Sequence, residues 1–267
     1  MNWLKELGFD GTKVLITGAA GAIGRELAYG FAQFDAELVL VDRPGCDWTL
    51  LNSGLESIKT RPVTCVECDL EDPTARQAFI DAQNAADVPM AALVNNAAFV
   101  GTSGLSGWAV PFDQQSVDTF RRALEVNLTA VFHLCQGFAA RLGAAPKGGS
   151  IVNIGSIYGT LGPDWTLYEG TSMANPAAYG ASKGGVIQLT RWLATTMAPK
   201  VRVNAVSPGG IVRGQPEAFV ERYKQRTPLG RMATESDIVG AVLHLSGGWS
   251  RYTTGQHLLV DGGWSAW

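Results

Sequence analysis

Residues 17–24 read TGAAGAIG, and they follow the apolar run KVLIT at residues 13–17. From Ile23 onward, apolar side chains recur at three- and four-residue steps, which indicates an amphipathic helix. A strand, a glycine-rich turn and a helix in this order predict a βα unit whose turn binds the pyrophosphate of a dinucleotide. The alternative is an ordinary turn between a strand and a helix.

Small residues in this turn have separate uses. Gly18 allows a tight turn, small residues at 21 and 22 let the backbone approach a pyrophosphate, and Gly24 lets the helix pack closely on the strand. The N–H groups of the first helical turn favour an anion. The predicted cofactor contacts in the turn are Gly18, Ala20, Gly21, Ala22, Ile23 and Gly24.

Short apolar runs alternate with helical periodicity along the whole chain. The predicted strands, each expected to be buried on both faces, are 13–17, 37–42, 62–67, 91–95, 150–155, 201–207 and 257–260. The predicted helices are 23–34, 73–86, 114–142, 177–198 and 234–246. This alternation predicts an α/β fold, a single-domain Rossmann-type doubly wound parallel sheet of seven strands with helices on both faces, over residues 1–267.

Two segments rich in glycine, proline and polar residues depart from this alternation. Residues 157–178 and 208–232 are predicted to be loops that shape the substrate pocket, and the second has a short helix at 216–225. The aromatic residues in 157–178 suit stacking on a polyhydroxylated substrate, or alternatively a small core or subunit contact. Arg213 and Arg231 are either ligands for a substrate phosphate or carboxylate, or solvated surface charges.

Composition restricts the function classes. The 267 residues carry a net charge of −3 and are 46% apolar, which gives no basic field for nucleic acid or acidic membranes. No apolar run reaches the roughly 18 residues of a membrane span, and the first residues lack a signal-peptide core. We therefore expect a cytoplasmic protein with a small-molecule substrate. The C-x-x-C of Cys65 and Cys68 has no second ligand pair, so no metal site is predicted.

An acidic residue ends the second predicted strand. Asp42 lies 18 residues beyond Gly24, where a carboxylate accepts hydrogen bonds from the adenosine ribose and repels a 2′-phosphate. This favours NAD over NADP, although Arg43 offers a cation to that phosphate. Asp69, after the third strand, is predicted to contact the adenine together with Leu70, or else to lead into the next helix.

Residues 177–183 read AAYGASK, with Tyr179 four residues before Lys183. On a helix these two positions share one face, about 5–6 Å apart at Cβ. A lysine at that distance favours the phenolate and lowers the pKa of the tyrosine. The alternative is an ordinary amphipathic helix.

With these parts in order, the chain resembles the classical branch of the short-chain dehydrogenase/reductase superfamily over nearly its whole length. The matching stretches are TGAAGAIG (17–24), Asp69, NNAA (95–98), Asn127 in EVNLTA, Ser156 in IVNIGS, YGASK (179–183), SPGG (207–210) and GQHLLVDGG (255–263). The chain departs from the family pattern at Ala22 and Ala98, where glycine is usual. It also has 22 residues between Ser156 and Tyr179, where about a dozen are usual.

The resemblance implies roles for individual residues. Tyr179 is the general acid/base, Ser156 orients the reacting oxygen, and Lys183 holds the nicotinamide ribose and favours the phenolate. Asn127 marks a break in its helix and serves a proton relay. The resemblance also implies further cofactor contacts at Asn96, Ala97, Ala98, Pro208, Gly209 and Ile211.

The resulting expectation is an NAD-dependent enzyme that interconverts a secondary alcohol and a ketone on a sugar-like substrate. Two other classes stay open: a sugar-nucleotide epimerase or dehydratase that retains its cofactor, and a non-catalytic NAD-binding regulator. Residues 168–183 and 207–219 also resemble a subgroup linked to bacterial surface-sugar (nonulosonic acid) biosynthesis. The resemblance further implies a homotetramer or homodimer.

Overall fold

The computed structural model describes residues 6, 8–9, 11–58, 61–86, 88–100 and 103–267. Its strands are β1 (Lys13–Thr17), β2 (Glu37–Asp42), β3 (Val63–Glu67), β4 (Met90–Asn95), β5 (Gly149–Ile154), β6 (Val201–Pro208) and β7 (His257–Val260). They form one parallel sheet in the order β3-β2-β1-β4-β5-β6-β7. The predicted seven-stranded parallel sheet is confirmed, with each strand within about one residue of its predicted position.

The expectation that every strand is buried is wrong for the two edges of the sheet. Every residue of β1 and β5 is buried, whereas β3 and β7 contain several exposed positions. Leu258 and Leu259 of β7 are 38% and 36% exposed. An apolar run is fully buried only where helices cover both faces, and that cover is incomplete at an edge strand.

The helices are α1 (Ala22–Gln33), α2 (Thr49–Glu56), α3 (Pro73–Asn84), α4 (Val117–Leu124), α5 (Ala130–Gly143), α6 (Ala177–Met197), α7 (Glu217–Arg226) and α8 (Ser236–Ser246). The predicted helices at 23–34, 73–86, 177–198 and 234–246 are confirmed within two residues at each end, and α7 confirms the short helix at 216–225. Helix α2 was not predicted. The predicted helix 114–142 is interrupted, because residues Glu125–Thr129 form a π-helical turn between α4 and α5.

Apolar side chains cover both faces of the sheet. On one face Phe31 of α1 and Val242 of α8 belong to one buried cluster. On the other face Phe79 of α3, Phe138 of α5 and Val186 of α6 belong to a second cluster. Burying each such side chain stabilises the fold by about 1.5–3 kcal/mol. The two clusters confirm the doubly wound arrangement.

The strand order places a crevice between β1 and β4. From β1 the chain proceeds outward through β2 to β3, and then it returns to β4 on the other side of β1. In open α/β sheets, ligands bind at the carboxyl ends of the strands at such a reversal. The residues that follow Thr17 of β1 and Asn95 of β4 therefore meet at the crevice.

Candidate active site

The glycine turn after β1 is packed too closely for side chains at two of its positions. Gly18 has φ +66°, and a Cβ there would lie 2.8 Å from Ala97 Cα. A Cβ on Gly24 would lie 2.1 Å from the carbonyl oxygen of Gly18. Both contacts require glycine, so the turn brings α1 and the end of β4 against β1.

The start of α1 is suited to an anion. Gly21 is the N-cap residue, so no side chain caps the N–H groups of the first helical turn, near Ala22, Ile23 and Gly24. Small residues at 20–22 leave the backbone accessible. Uncapped N–H donors and the dipole of a 12-residue helix fit the pyrophosphate of a dinucleotide.

Asp42 is joined to the same turn. Its Oδ2 accepts a hydrogen bond from the Ala20 N–H at 2.8 Å, and its Oδ1 accepts one from the Arg43 N–H at 2.8 Å. A carboxylate has about four lone-pair positions, so acceptor capacity remains for a ribose hydroxyl. The Arg43 residue is exposed beside it.

Asp69 lies after the adjacent strand β3 and is exposed, while Leu70 is buried. The Asp69 carboxylate accepts from the Glu71 N–H at 2.9 Å. This local bond fits both earlier interpretations, an adenine contact and a residue that leads into α3. Asp42 ends β2 and Asp69 follows the neighbouring strand β3, so both lie at the carboxyl ends of these parallel strands.

The NNAA stretch at the end of β4 forms the opposite wall of the crevice. Asn96 Nδ2 donates to the carbonyl oxygens of Thr17 at 2.9 Å and Gly18 at 3.0 Å. The N–H groups of Asn96 and Ala97 both lie 3.1 Å from the Thr17 hydroxyl. Ala98 follows and is partly buried. These bonds hold the glycine turn and the β4 end together.

Buried amides connect this wall to the rest of the sheet. Asn95 Nδ2 donates to Asn153 Oδ1 at 2.8 Å, and Asn153 Nδ2 donates to Thr190 Oγ1 at 2.9 Å. The bonds link β4, β5 and α6 below the site. Asn95 therefore belongs to the framework under the candidate catalytic residues.

Asn127 lies in the π-helical turn, as the predicted helix break required. Its Oδ1 accepts from the Phe99 N–H at 2.7 Å, and its Nδ2 donates to the Phe99 carbonyl at 3.1 Å. Nδ2 also donates to Ser182 Oγ at 3.0 Å, and Ser182 Oγ donates to the Tyr179 carbonyl at 2.8 Å. The asparagine thus connects the loop after β4 with the start of α6. Ser182 was not singled out from the sequence, although its place three residues after Tyr179 puts it on the same helix face.

Ser156, Tyr179 and Lys183 meet at the carboxyl end of β5. Ser156 is buried and caps the short 3₁₀ turn Ile157–Gly159. Its hydroxyl lowers the pKa of Tyr179 through hydrogen bonding. Lys183 Nζ lies 5.9 Å from the centroid of the Tyr179 ring and donates to the Ile154 carbonyl at 2.7 Å. The structure therefore brings the predicted three side chains together.

The expectation that the pKa of Tyr179 is lowered is wrong for the protein chain alone. Burial raises the pKa of Tyr179, and it exceeds the opposing effects of Ser156 and of the Arg213 cation. Burial also lowers the pKa of Lys183 to about 8. Tyr179 packs against the buried cluster of Trp108, Ala123 and Ala178, which makes its surroundings apolar.

The predicted contacts after β6 lie on the other side of the site. Pro208 is buried and ends β6, and the Gly209 N–H donates to the Val260 carbonyl at 3.0 Å. Ile211 forms an isolated parallel bridge with Ala233. The 208–232 segment therefore starts at the carboxyl end of the sheet, as Ser156 does.

The aromatic residues of 157–178 form a small core with α7 and the C-terminal residues. Tyr168 packs on Phe219, Phe219 on Tyr223, and Tyr223 stacks on Trp264 at 4.3 Å. Trp165 is 56% exposed at the end of this series. Substrate stacking and a small core or subunit contact were the two interpretations of this segment. Most of its rings belong to a small core.

Two arginines considered from the sequence are ion-paired. Arg231 is bidentate to Asp237 at 2.7 Å, and Arg213 Nε donates to Glu235 at 2.8 Å. The Arg213 cation lowers the pKa of Tyr179, and Arg231 is not among the groups that shift it. Within the described ranges, no cluster of metal-ligating side chains was found, and no helix has the length and apolarity to cross a membrane.

Comparison with known proteins identifies the family of this chain. Residues 18–265 match a family model described as Enoyl-(Acyl carrier protein) reductase. The chain is 33% identical over 270 residues to galactitol 2-dehydrogenase (L-tagatose-forming) of Cereibacter sphaeroides, which covers 97% of this chain and 96% of the relative.

Two solved structures are similar over nearly the whole chain. A short chain dehydrogenase from Leptospira borgpetersenii with bound NAD+ has a TM-score of 0.82 and 32% identity, covering 99% of this chain and 96% of that one. A gluconate 5-dehydrogenase from Burkholderia cenocepacia in complex with NADP and tartrate has a TM-score of 0.84 and 27% identity, covering all of both chains. The chain belongs to the short-chain dehydrogenase/reductase superfamily and is an NAD(P)-dependent oxidoreductase.

Proposed function

We propose that the chain interconverts a secondary alcohol and a ketone by NAD-dependent hydride transfer on a polyol, sugar or sugar-acid substrate. The observation that carries this proposal is the meeting of Ser156, Tyr179 and Lys183 at the carboxyl end of the sheet, the same end as the glycine turn. A phenol and a hydroxyl that share one small site can together bind and protonate one substrate oxygen.

Tyr179 exchanges the proton. In ketone reduction its hydroxyl donates to the carbonyl oxygen as that oxygen becomes an alkoxide, and in alcohol oxidation its phenolate accepts the proton. Ser156 hydrogen-bonds the same oxygen and fixes its direction. When bound, the nicotinamide dinucleotide supplies or accepts the hydride.

Lys183 and Asn127 support this exchange. The Lys183 ammonium stabilises negative charge on the Tyr179 oxygen and holds the nicotinamide ribose, because it is buried one helical turn away. Asn127 holds the start of α6 through Ser182 and serves the proton relay. The dinucleotide would be held by the 18–24 turn, Asp42, Arg43, Asp69, Leu70, Asn96, Ala97, Ala98, Tyr179, Lys183, Pro208, Gly209 and Ile211.

NAD is the proposed cofactor because of Asp42. Its carboxylate is fixed by the Ala20 N–H at the end of β2, where it accepts from ribose hydroxyls and repels a 2′-phosphate. Structural neighbours include one with NAD+ and one with NADP, so the choice rests on this residue rather than on the family.

Asp42→Asn is expected to raise the NADP-to-NAD ratio of kcat/KM by about 10- to 100-fold, the effect of removing about 1–3 kcal/mol of charge repulsion. With its amide oxygen facing Ala20, the asparagine still accepts from the Ala20 N–H and the turn is retained, while the bond from the exposed Arg43 N–H is lost because an amide nitrogen does not accept. Steady-state kinetics with both cofactors measures the ratio. Asp47→Asn, a fully exposed carboxylate in the following loop, is the matched control. A wild-type enzyme that already prefers NADP would refute the role given to Asp42.

The substrate class is supported by a relative named for galactitol and a structural neighbour named for gluconate. A panel of polyols, sugars, sugar acids and sugar nucleotides, assayed with NAD and NADP in parallel, tests it. One reduced cofactor formed per alcohol oxidised is the expected result. Product without net cofactor reduction would instead indicate a retained-cofactor epimerase or dehydratase, and cofactor binding without any turnover would indicate a regulator.

Assembly and location belong to the same proposal. Phe132 on α5 and Trp192 on α6 are 40% and 57% exposed, which supports a homotetramer or homodimer through these helices. Light scattering measures that mass, and a monomer at assay concentration would contradict it. The proposed location is the cytoplasm, and the nonulosonic-acid subgroup stays a prediction that the same panel examines.

A further inference from the structure

Two phenols of the 157–178 segment lie beside the site, and the proposed proton transfer does not use them. The Tyr158 N–H donates to the Ser156 hydroxyl at 3.2 Å. A Cβ added to Gly180 would lie 3.2 Å from the Tyr158 carbonyl oxygen, so the turn Ile157–Gly159 packs on the residue next to Tyr179. This packing places the Tyr158 backbone next to Ser156 and next to Gly180, the residue that follows Tyr179.

The two phenols are hydrogen-bonded to each other. Tyr158 Oη and Tyr168 Oη are 3.0 Å apart, and Asn175 Nδ2 donates to Tyr168 Oη at 3.4 Å. Each hydroxyl has one proton, and their mutual bond uses one of the two. Among the described residues neither hydroxyl has another acceptor, so whichever phenol donates, one O–H proton stays available to a ligand.

Packing holds the pair in place. The Tyr168 ring meets Phe219 edge-to-face at 5.4 Å and Trp165 at 5.5 Å. Asp164 caps the turn Trp165–Tyr168 through the Thr166 N–H at 3.1 Å, and it is ion-paired with Arg226 at 3.0 Å. A donor whose ring is already fixed loses little entropy when it binds a ligand.

The chemistry of the pair suits hydrogen bonding rather than proton transfer. Burial and the neighbouring Tyr168 raise the pKa of Tyr158 well above its usual range, so it stays neutral. Tyr168 also raises the pKa of Tyr179, so the two phenols lie close enough to interact electrostatically. Residues 162 and 172, four positions after each phenol, are glycine and serine, so neither phenol has the lysine that follows Tyr179.

We propose that the Tyr158–Tyr168 pair is a substrate-positioning site that hydrogen-bonds a second hydroxyl, on a carbon next to the reacting one. This inference rests on the proposed oxidoreductase function and deepens it. The pair selects vicinal diols and hydroxyketones over plain secondary alcohols, because a ligand without the second hydroxyl leaves buried polar groups unpaired.

The test compares the double variant Tyr158→Phe/Tyr168→Phe with the wild-type enzyme on cis-1,2-cyclohexanediol and cyclohexanol, using NAD. The expected loss in kcat/KM is about 10-fold for the diol, mainly through KM, and about 2-fold or less for cyclohexanol. Both rings are retained, so the unfolding midpoint and NADH affinity are expected to match wild type. Tyr252→Phe, at a fully exposed phenol, is the control.

A second measurement separates this inference from the proposed function. Fluorescence titration of the NADH-loaded enzyme with the diol reports binding without turnover. If the wild type oxidises neither alcohol but binds the diol, and the double variant binds it about 10-fold less tightly, the pair is supported and the proposed function fails. Three results would each overturn the positioning role. The double variant could lose kcat/KM equally for both alcohols, or keep the wild-type kcat/KM for the diol. The wild-type enzyme could also neither bind nor oxidise the diol.

Discussion

Tyr179→Phe is expected to reduce kcat/KM by about 10³-fold in both directions, because the variant keeps the ring and loses only the hydroxyl that exchanges the proton. The ring packs against the buried cluster of Trp108, Ala123 and Ala178, and phenylalanine preserves this packing. We therefore expect the unfolding free energy and the NAD affinity to stay near the wild-type values. Stopped-flow and steady-state measurements of cofactor reduction give the rate.

The same variant has a signature in the pH profile. Burial raises the pKa of Tyr179, so alcohol oxidation, which needs the phenolate, is expected to accelerate with rising pH through the neutral and alkaline range. Ketone reduction needs the protonated phenol, so its rate stays level until the pH reaches that pKa. Both dependences vanish in Tyr179→Phe if this residue carries the proton. Tyr252→Phe is again the control, and an unchanged rate in Tyr179→Phe would assign the proton transfer to another residue.

Lys183→Met is expected to lose about 10²-fold or more in kcat/KM and yet to be more stable at neutral pH. Burial lowers the pKa of Lys183 from 10.5 to about 8. Below that lower value the folded protein holds a buried ammonium group at Lys183. This charge lowers the free energy of unfolding by up to about 3 kcal/mol. The lost bond to the Ile154 carbonyl offsets about 1 kcal/mol of the gain, so the net stabilisation at pH 7 is about 1–2 kcal/mol.

The sign of this effect determines its pH window. Between about pH 8 and 10.5 the unfolded lysine binds a proton that the folded one has released, so wild-type stability rises with pH across this interval. The extra stability of Lys183→Met over the wild type therefore shrinks as the pH approaches 10.5. Urea unfolding at several pH values measures it, with Lys200→Met, an exposed lysine, as the control. A variant less stable than wild type at neutral pH would show that the buried charge is already compensated.

The fold could be predicted because strands covered on both faces are almost continuously apolar. The sequence does not show which strand lies at an edge, since edge position depends on chain order in the sheet rather than on local composition. For this reason β3 and β7 were expected to be buried. Helix α2 was missed because only Leu51 and Leu55 of its residues are buried, and two positions give too little periodicity.

The candidate site was predictable where its residues lie in short fixed spacings. Tyr179 and Lys183 share a helix face. Ser156 follows β5, which pairs with β4, the preceding strand of the site. The direction of the Tyr179 pKa was not predictable, because burial raises it, and Tyr179 packs against Trp108 and Ala123, which are distant in sequence. The aromatic core of the 157–178 segment also depends on contacts with α7 and Trp264 that no local pattern indicates.

The strand order has a consequence for how such a protein diversifies. Asp42 lies at the end of β2, three strands from β5, which is about 14 Å across the sheet. The elements that select the adenosine end therefore share no residue with the segment that carries Tyr158 and Tyr168. Mutations that exchange one cofactor for the other and mutations that alter substrate range can accumulate independently, so a new metabolic role needs no simultaneous change in redox partner.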